Sequence, residues 1–520
     1  MTLPKSVRKR NVLASLAFLA AVVWLFSDRT TDSICLSFES LVGISICSRA
    51  FVNSEWNLFY HLGGNGPWIP KRDRLGDVTD RLPAHCVVDQ VHMVCLTLCI
   101  RTVWLSTDLD SSLAMPKDIP PEMRETVRTR SRSEDCLLTL PGHLNLLDRL
   151  RAPGVKLGGA LSFLNSWSYF TNLDHPEFEN LTNRGPYAGT LQALNAGKKL
   201  RQQYNHLVSR DQPTRFWSCS AERDIETARW FAEGFWGPHW EDDGSAELHI
   251  IPEDAERGGD TLTPGTTCHR YRTEAYGHDY GYRQMDIWQK TFGQDIAQRL
   301  APDAEGVILT APDVYSMMEM CGFELLARGY SSWCSIFSHS DWLRFEYARD
   351  LLHFYRAGPG SEFAGALGWL YLNATAELLV TNNATHLYLS FVHDGDIVPV
   401  LAALQVLDEK TIQQHLPTDT IKSERTWRTS DVVPMGGRLV LERIACSGED
   451  QAETRHYVRI SINDGIVKVA GIPPAKEVDH TVDVADFWDF VASRLGYFGE
   501  FREVCGLRAD APDRISFLHQ

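Results

Sequence analysis

A histidine and an aspartate stand side by side in the segment SFVHDGDI, residues 390–397. His393 can donate a hydrogen bond to an oxyanion, and Asp394 can act as a general acid. Arg223, in the segment SAERDIETA, adds a guanidinium that can bind an oxyanion through two parallel hydrogen bonds. Together these side chains favour phosphate chemistry. The alternative is that Asp394 caps a helix, His393 only packs, and Arg223 pairs with a neighbouring glutamate on the surface.

The surrounding patterns predict where these residues lie. Residues 387–392 are apolar and β-rich, and apolar residues at three- and four-residue spacing from Ile397 predict a helix. Residues 215–219 predict a second strand, followed by a turn and a helix over 220–235. Open α/β sheets bind ligands at the carboxyl ends of their strands, and helix N-termini favour anions. The sequence therefore predicts an anion site at one edge of a sheet.

Length and charge limit the possible classes of protein. A chain of 520 residues is long enough for two domains, or for one large domain with an insertion. The net charge of −16 argues against a nucleic-acid partner and against an anionic membrane surface. An anionic substrate must therefore be attracted by a few local arginines. No cofactor is expected, and the sequence does not predict the oligomeric state.

The beginning of the chain predicts export. Basic residues precede an apolar run over 12–26, which is typical of a signal peptide or signal anchor within residues 1–30. A buried N-terminal helix is the alternative. We expect a secreted or cell-surface protein, which contacts a membrane only through an uncleaved N-terminal segment.

Cysteines and glycosylation signals agree with export. The twelve cysteines contain no CxxC pair, so they favour disulfides over a metal site, and Cys321 and Cys334 are the expected pair because they bracket a short segment. Acceptor sequons for N-glycosylation begin at Asn180, Asn373 and Asn383.

Several polar residues are expected to have no catalytic role. Asp286, Glu346 and Asp350 lie on helical patterns and are interpreted as solvated faces. His61 lies in a glycine-rich segment that is interpreted as a structural loop, although it could border a site.

Segments spread over residues 55–94 and 142–445 resemble, in order, the fungal secreted histidine acid phosphatases, a family that includes phytases. The matching segments are YHLGGNGPWI, CVVDQVHMV, GALSFLNSWSYF, LTNRGPYAGTLQA, CSAERDIETARWFAEGF, MCGFELLARGYSSWCSIF, YRAGPG, SFVHDGDIVPVLAALQVL and PMGGRLVLER. The resemblance implies a large doubly wound α/β domain, over 55–240 and 385–520, with a smaller mainly helical domain over 241–384. The active site is expected between them.

The resemblance also implies a mechanism and a small phosphorylated substrate. In this family a histidine attacks phosphorus, and water then hydrolyses the phosphohistidine. By position, Arg223 is similar to a phosphate-binding arginine, His393 to a phosphate-contacting histidine, and Asp394 to the acid that protonates the leaving alcohol. The expected activity is hydrolysis of phosphomonoesters, with phytate as one candidate.

The family's nucleophile motif, Arg-His-Gly/Ala-x-Arg-x-Pro, is missing from the chain. The strand over 88–94 is followed by CLTLCIR, and the single Arg455-His456 pair precedes a tyrosine. The chain as given therefore lacks the nucleophile and two phosphate arginines, which should remove most of the rate.

Residues 95–140 are atypical, and a shifted reading frame offers an explanation. Codons can be chosen for LAMPKDIPP, residues 113–121, so that the neighbouring frame encodes Arg-His-Ala-Glu-Arg-Tyr-Pro-Ser. Val94-Cys95 can be encoded by GTATGT, a common fungal intron start. Our hypothesis is that residues 95–140 are a mis-spliced or mispredicted reading. The alternatives are a pseudophosphatase that binds phosphorylated ligands, and a surface glycoprotein held by residues 12–26 without a ligand.

A second departure from the family concerns Arg356. Some relatives have a cysteine at this position, and the resemblance implies that it pairs with the counterpart of Cys86. Cys86 is therefore expected to be free or differently paired here.

Overall fold

The structure, a computed structural model, describes residues 56–70, 81–96, 135–168, 181–209, 211–381, 386–406, 415–447 and 454–520. The predicted signal segment, residues 1–30, lies outside the described residues. So do Asn180, Asn383 and most of the atypical stretch 95–140. Residues Asn57–Gln520 form one compact unit.

A mixed β-sheet forms the centre of this unit. Its strands are β1 Cys86–Leu96, β2 Thr214–Cys219, β3 Ala246–Ile251, β4 Leu387–Val392, β5 Arg438–Ser447, β6 Thr454–Ile462, β7 Gly465–Val467 and β8 Val482–Asp483. The strand order is β8-β6-β5-β1-β4-β2-β3, and β7 pairs with β6. Strands β1, β4, β2 and β3 run parallel, whereas β5, β6 and β8 add an antiparallel half. The predicted α/β class is confirmed.

The longer helices form three packed groups. They are α1 Asp135–Leu150, α2 Gly189–Tyr204, α3 Glu222–Trp236, α4 Asp279–Leu300, α5 Ala311–Arg328, α6 His339–Arg356, α7 Ala364–Val380, α8 Asp394–Leu404 and α9 Val484–Phe498. Helix α2 packs on α3, α7 packs on α8 and α9, and α4 packs on α5 and α6, with α1 beside α5. None of the helices in the described part of the chain has the length and apolar character needed to cross a membrane.

Helices cover both faces of the parallel half of the sheet. Successive side chains of a strand point to opposite faces, and β4 shows this alternation. The Phe391 ring packs 5.2 Å from the Phe231 ring of α3, whereas the Ser390 hydroxyl accepts a hydrogen bond of 3.2 Å from Tyr371 of α7. A strand that is buried on both faces needs a nearly continuous apolar run, and Ser390 is the one residue of 387–392 that is neither aliphatic nor aromatic.

Three predicted boundaries differ from the structure. Strand β3 lies in the range 241–384 that was assigned to a helical domain, and it joins the sheet beside β2. Helix α7, also within the range assigned to a helical domain, packs with the helices of the sheet. Helix α8 begins at Asp394 instead of Ile397, because the negative Asp394 in its first turn interacts favourably with the helix dipole.

Disulfides tie distant parts of the unit together. The described disulfides are Cys86–Cys446, Cys268–Cys505 and Cys321–Cys334. The last is the pair expected from the sequence. Cys86 is paired with Cys446, its direct neighbour across β1 and β5. Of the two expectations for Cys86, free or differently paired, the second is therefore confirmed.

The predicted glycosylation site at Asn373 is wrong for the folded protein. Asn373 lies in α7, is 6% exposed, and donates a side-chain hydrogen bond of 2.9 Å to Glu377. A glycan at this position would have to occupy the space that the protein core fills. The sequon therefore carries no accessible acceptor.

The interpretation of Glu346 and Asp350 as solvated residues is also wrong, although Asp286 is exposed as expected. Both buried carboxylates contact the guanidinium of Arg425, and Glu346 lies 2.5 Å from the Nδ1 atom of His61. Burial raises the pKa of Asp350 to about 6. A largely buried ionic network results, because a buried charge needs an opposite charge. Its members are His61, Glu346, Asp350 and Arg425.

Candidate active site

Two adjacent parallel strands bring the predicted site residues together. Strand β2 ends before α3, and β4 ends before α8. Arg223 lies in the first turn of α3, His393 is the N-cap residue of α8, and Asp394 follows it. The Nη2 atom of Arg223 lies 2.7 Å from Nδ1 of His393. The arginine and the histidine–aspartate pair therefore meet at the carboxyl ends of the strands, where the two helix N-termini favour an anion.

The imidazole of His393 is held by carboxylates on two sides. Its Nδ1 atom lies 3.1 Å from Oδ2 of the buried Asp224, and its Nε2 atom lies 3.4 Å from Oε2 of Glu253. Burial alone would lower the pKa of His393, but the Asp224 carboxylate raises it well above the ordinary value. Burial opposes ionisation of Glu253, yet the hydrogen bond from His393 lowers its pKa to about 2. The Asp224 carboxylate therefore favours the protonated imidazole, which can donate a hydrogen bond.

Asp394 lies beside Arg356 and His353, two residues of α6. The backbone N–H of Gly395 donates a hydrogen bond of 2.6 Å to its Oδ1 atom. Nη1 of Arg356 lies 3.6 Å from the same oxygen, and Nε2 of His353 lies 3.7 Å from Oδ2. Burial lowers the pKa of His353 to about 3, so its Nε2 is unprotonated and accepts a hydrogen bond of 2.9 Å from Arg349.

A second acidic residue of the same segment carries no charge at neutral pH. Asp396 is 8% exposed, and burial raises its pKa to about 8. Asp394 and Asp396 are only two residues apart, but they differ in environment, because only Asp394 retains a solvent-accessible side chain of 20%. Of the two, Asp394 is the one that can meet a substrate.

Sequence reasoning missed several residues of this site. Asp224 directly follows Arg223 in the sequence, and Arg356 lies in the YRAGPG segment, so both offered a weak signal. Cys219 and Glu253 offered none, because they reach His393 only through the pairing of β2 with β3 and β4. The Sγ atom of Cys219 lies 3.6 Å from Nε2 of His393.

The expected nucleophile motif would begin at Cys95, near the end of β1. Cys95 is 4% exposed, and burial raises the pKa of its thiol to about 12. A thiol with that pKa stays protonated, so Cys95 is not an activated nucleophile. A cavity of about 230 Å³ opens beside it, lined also by Phe231, Phe391 and Arg438. This end of β1 adjoins the pair formed by Arg223 and His393, because β1 and β4 are neighbours in the sheet.

A match to a family model shows which superfamily the chain belongs to. The model of the histidine phosphatase superfamily (branch 2) matches residues 147–463. The chain belongs to this superfamily. The match contains Arg223, His393 and Asp394, and it begins after the atypical stretch 95–140. By this resemblance the chain is a phosphoric monoester hydrolase of the histidine acid phosphatase type.

Relatives of this histidine phosphatase agree in sequence and fold. It is 28% identical to "Phytase PHO112" of Candida albicans, over 89% of this chain and 90% of the relative. It is 29% identical to "Acid phosphatase PHO1" of Komagataella pastoris, over 90% of each. The crystal structure of the phytase from D. castellii matches with a TM-score of 0.74 and 23% identity, and covers 93% of this chain and 94% of the phytase. This last similarity concerns the fold.

Proposed function

We propose that the chain derives from an acid phosphatase that hydrolyses phosphomonoesters, with phytate among the candidate substrates. The observation that carries this proposal is the contact of 2.7 Å between Arg223 and His393 at the ends of β2 and β4. A guanidinium and a protonated imidazole at the same edge of the sheet repel each other, and an anion bound across both side chains relieves this repulsion. Asp224 and Glu253 balance part of this charge, and a phosphoryl group would balance the rest.

Each of the three residues has a distinct proposed role. Arg223 binds two equatorial phosphoryl oxygens through its planar guanidinium. His393 donates a hydrogen bond to a third oxygen from its cationic imidazole. Asp394 protonates the leaving alcohol. The nearby Arg356 stabilises the carboxylate of Asp394, and a bound phosphoryl group adds negative charge that favours its protonated form.

The proposed reaction requires a nucleophile that the given chain lacks. In the phosphohistidine mechanism a histidine after β1 attacks phosphorus and expels the alcohol, and water then releases phosphate. Strand β1 ends with Cys95 and Leu96. The chain contains no Arg-His-Gly or Arg-His-Ala sequence. We therefore expect negligible turnover from the chain as given, while the fold and the binding of phosphate are retained.

A pseudophosphatase that binds phosphorylated ligands is the second candidate function. The missing nucleophile motif favours it, since Arg223 and His393 can bind phosphate without catalysis. The sequence of the reverse-transcribed messenger RNA across codons 90–145 separates the two. If it encodes Arg-His-Ala-Glu-Arg-Tyr-Pro in frame, the natural protein is a phosphatase. If it encodes residues 90–145 of this chain, the pseudophosphatase that binds phosphorylated ligands becomes the favoured function.

Phosphate binding is tested on the purified full-length chain by thermal unfolding. Phosphate at one hundred times its Kd stabilises the folded state by about 2.7 kcal/mol, and Arg223→Gln should abolish this increase. Arg229→Gln is the matched control, because Arg229 lies on the same helix with a 58% exposed side chain. Equal stabilisation of all three proteins by phosphate would refute the proposed role of Arg223. Turnover of p-nitrophenyl phosphate, measured in parallel, tests the expected inactivity.

We further propose that the protein is exported. Disulfides such as Cys86–Cys446 and Cys268–Cys505 form in oxidising compartments. Detection of the protein in culture medium, without residues of the N-terminal segment, would support secretion after cleavage.

A further inference from the structure

Three side chains with metal-binding atoms converge at the ends of the parallel strands. They are the thiol of Cys219 at the end of β2, the Nε2 atom of His393 before α8, and the carboxylate of Glu253 after β3. Their ligand atoms all lie within 4.8 Å of one another. Sulfur, imidazole nitrogen and carboxylate oxygen are the three ligand types that proteins use for zinc.

The distances between these atoms fit tetrahedral coordination. With a Zn–S bond of about 2.3 Å and Zn–N and Zn–O bonds of about 2.0–2.1 Å, tetrahedral angles place S and N about 3.6 Å apart and N and O about 3.3 Å apart. The protein holds Sγ of Cys219 at 3.6 Å from Nε2 of His393, and Oε2 of Glu253 at 3.4 Å from Nε2. We propose that Cys219, Glu253 and His393 bind Zn²⁺ or a similar thiophilic divalent cation, with the fourth position open to water.

A further carboxylate supports the histidine in this role. Zinc-bound histidines usually donate their second ring N–H to a carboxylate, which fixes the ring orientation and increases the basicity of the ligand. Oδ2 of Asp224 lies 3.1 Å from Nδ1 of His393, on the side of the ring that faces away from the proposed metal, and Nη2 of Arg223 lies 2.7 Å from the same nitrogen. Asp224 is fully buried, so this contact is sheltered from water.

Metal binding releases protons from the ligand atoms. The metal binds the thiolate of Cys219 and the unprotonated Nε2 of His393, so any proton on either atom leaves for solvent as the bond to the metal forms. No atom changes oxidation state. Affinity for the metal should therefore increase as the pH rises.

The sequence spacing cannot reveal this site. Its three ligands lie on three separate segments, whereas recognisable zinc motifs place two ligands within a few residues. The site has a consequence for the proposed phosphatase function. A metal on Nε2 of His393 occupies the atom that would otherwise donate to a phosphoryl oxygen, so metal binding and that contact exclude each other.

Cobalt is the probe for the test, because a Co²⁺–thiolate bond gives an intense ultraviolet charge-transfer band. The full-length chain is titrated with Co²⁺, and Zn²⁺ is then added to displace it. We expect the band in the wild type and in Cys95→Ser, which removes the other buried free cysteine of the described residues. We expect its loss in Cys219→Ser, with at least tenfold weaker Zn²⁺ binding by competition with a chelator.

A second variant covers the case in which Cys219→Ser does not fold. Glu253→Gln keeps the thiolate and should retain the band, but should weaken Zn²⁺ binding by roughly 10–100-fold. Calorimetry in two buffers of different ionisation enthalpy should show that protons are released when the ion binds. A band that persists in Cys219→Ser, or no band in the wild type, would overturn the proposal. Neither outcome depends on phosphatase activity, so the two proposals fail separately.

Discussion

The contact between Asp224 and His393 gives the most informative prediction about the site. Asp224→Asn keeps the shape of the side chain but removes its charge, 3.1 Å from Nδ1 of His393. A carboxylate within about 4–6 Å typically moves a pKa by roughly 1–3 units. We therefore expect the pKa of His393 to fall in the variant.

This change in pKa has a defined effect on stability. The raised pKa of His393 contributes stability that is fully present below the unfolded value of about 6.5, and that is lost as the pH rises through the folded pKa. Asp224→Asn should therefore lower the free energy of unfolding near pH 5.5, by about 1.4 kcal/mol for each unit by which the pKa of His393 falls. The difference should shrink once the pH exceeds the folded pKa of His393.

Two measurements test this reasoning. The titration of His393 is followed by NMR with ¹³C-labelled histidine, and His393→Gln identifies its signal. Urea unfolding at pH 5.5 and pH 9 gives the free energies. Glu253→Gln is the matched control, since Glu253 contacts Nε2 instead of Nδ1 and contributes less to the raised pKa.

The reasoning would be refuted by either of two results. One is an unchanged pKa of His393 in Asp224→Asn. The other is a loss of stability of the same size at both pH values, which would indicate that Asp224 acts through packing or through Arg223 and not through the charge of His393.

Three further predictions concern the scaffold. Cys86→Ser should lower the free energy of unfolding by about 2–5 kcal/mol in urea titrations, because it opens the bond to Cys446, and an unchanged midpoint would contradict this. Gly368→Ala should cost about 1–3 kcal/mol in the same assay, since its Cβ would lie 2.0 Å from a backbone oxygen of α8, whereas Gly496→Ala has open space and should gain up to about 1 kcal/mol. Asn373→Gln should leave the glycan mass of protein produced in a glycosylating host unchanged, and a loss of one glycan by mass spectrometry would show that Asn373 is accessible.

The local part of the site could be predicted from the sequence. The strand, the turn and the helix around His393 leave a periodic signal, and so do those around Arg223. Because both segments end parallel strands, their meeting followed from the general geometry of α/β sheets. The start of α8 could not be predicted from periodicity, since its first turn is polar.

Contacts between distant segments could not be predicted. Glu346 and Asp350 have the spacing of a solvated helix face, and their partner Arg425 lies 79 and 75 residues away in the sequence. A polar residue that faces water and one that faces a buried arginine have the same local pattern. Glu253 was missed for the same reason, because only the order of the strands brings it to His393.

The order of strands in the sheet also constrains when the protein can fold. Strand β4 lies between β1 and β2, yet it is made long after both of them. The disulfide from Cys86 spans 360 residues, and so requires nearly the whole chain. During synthesis β1 is therefore made well before its two neighbours in the sheet, β4 and β5. Until they are made, its apolar side chains remain exposed. Such a segment is a natural binding site for chaperones, and its late pairing makes folding slow.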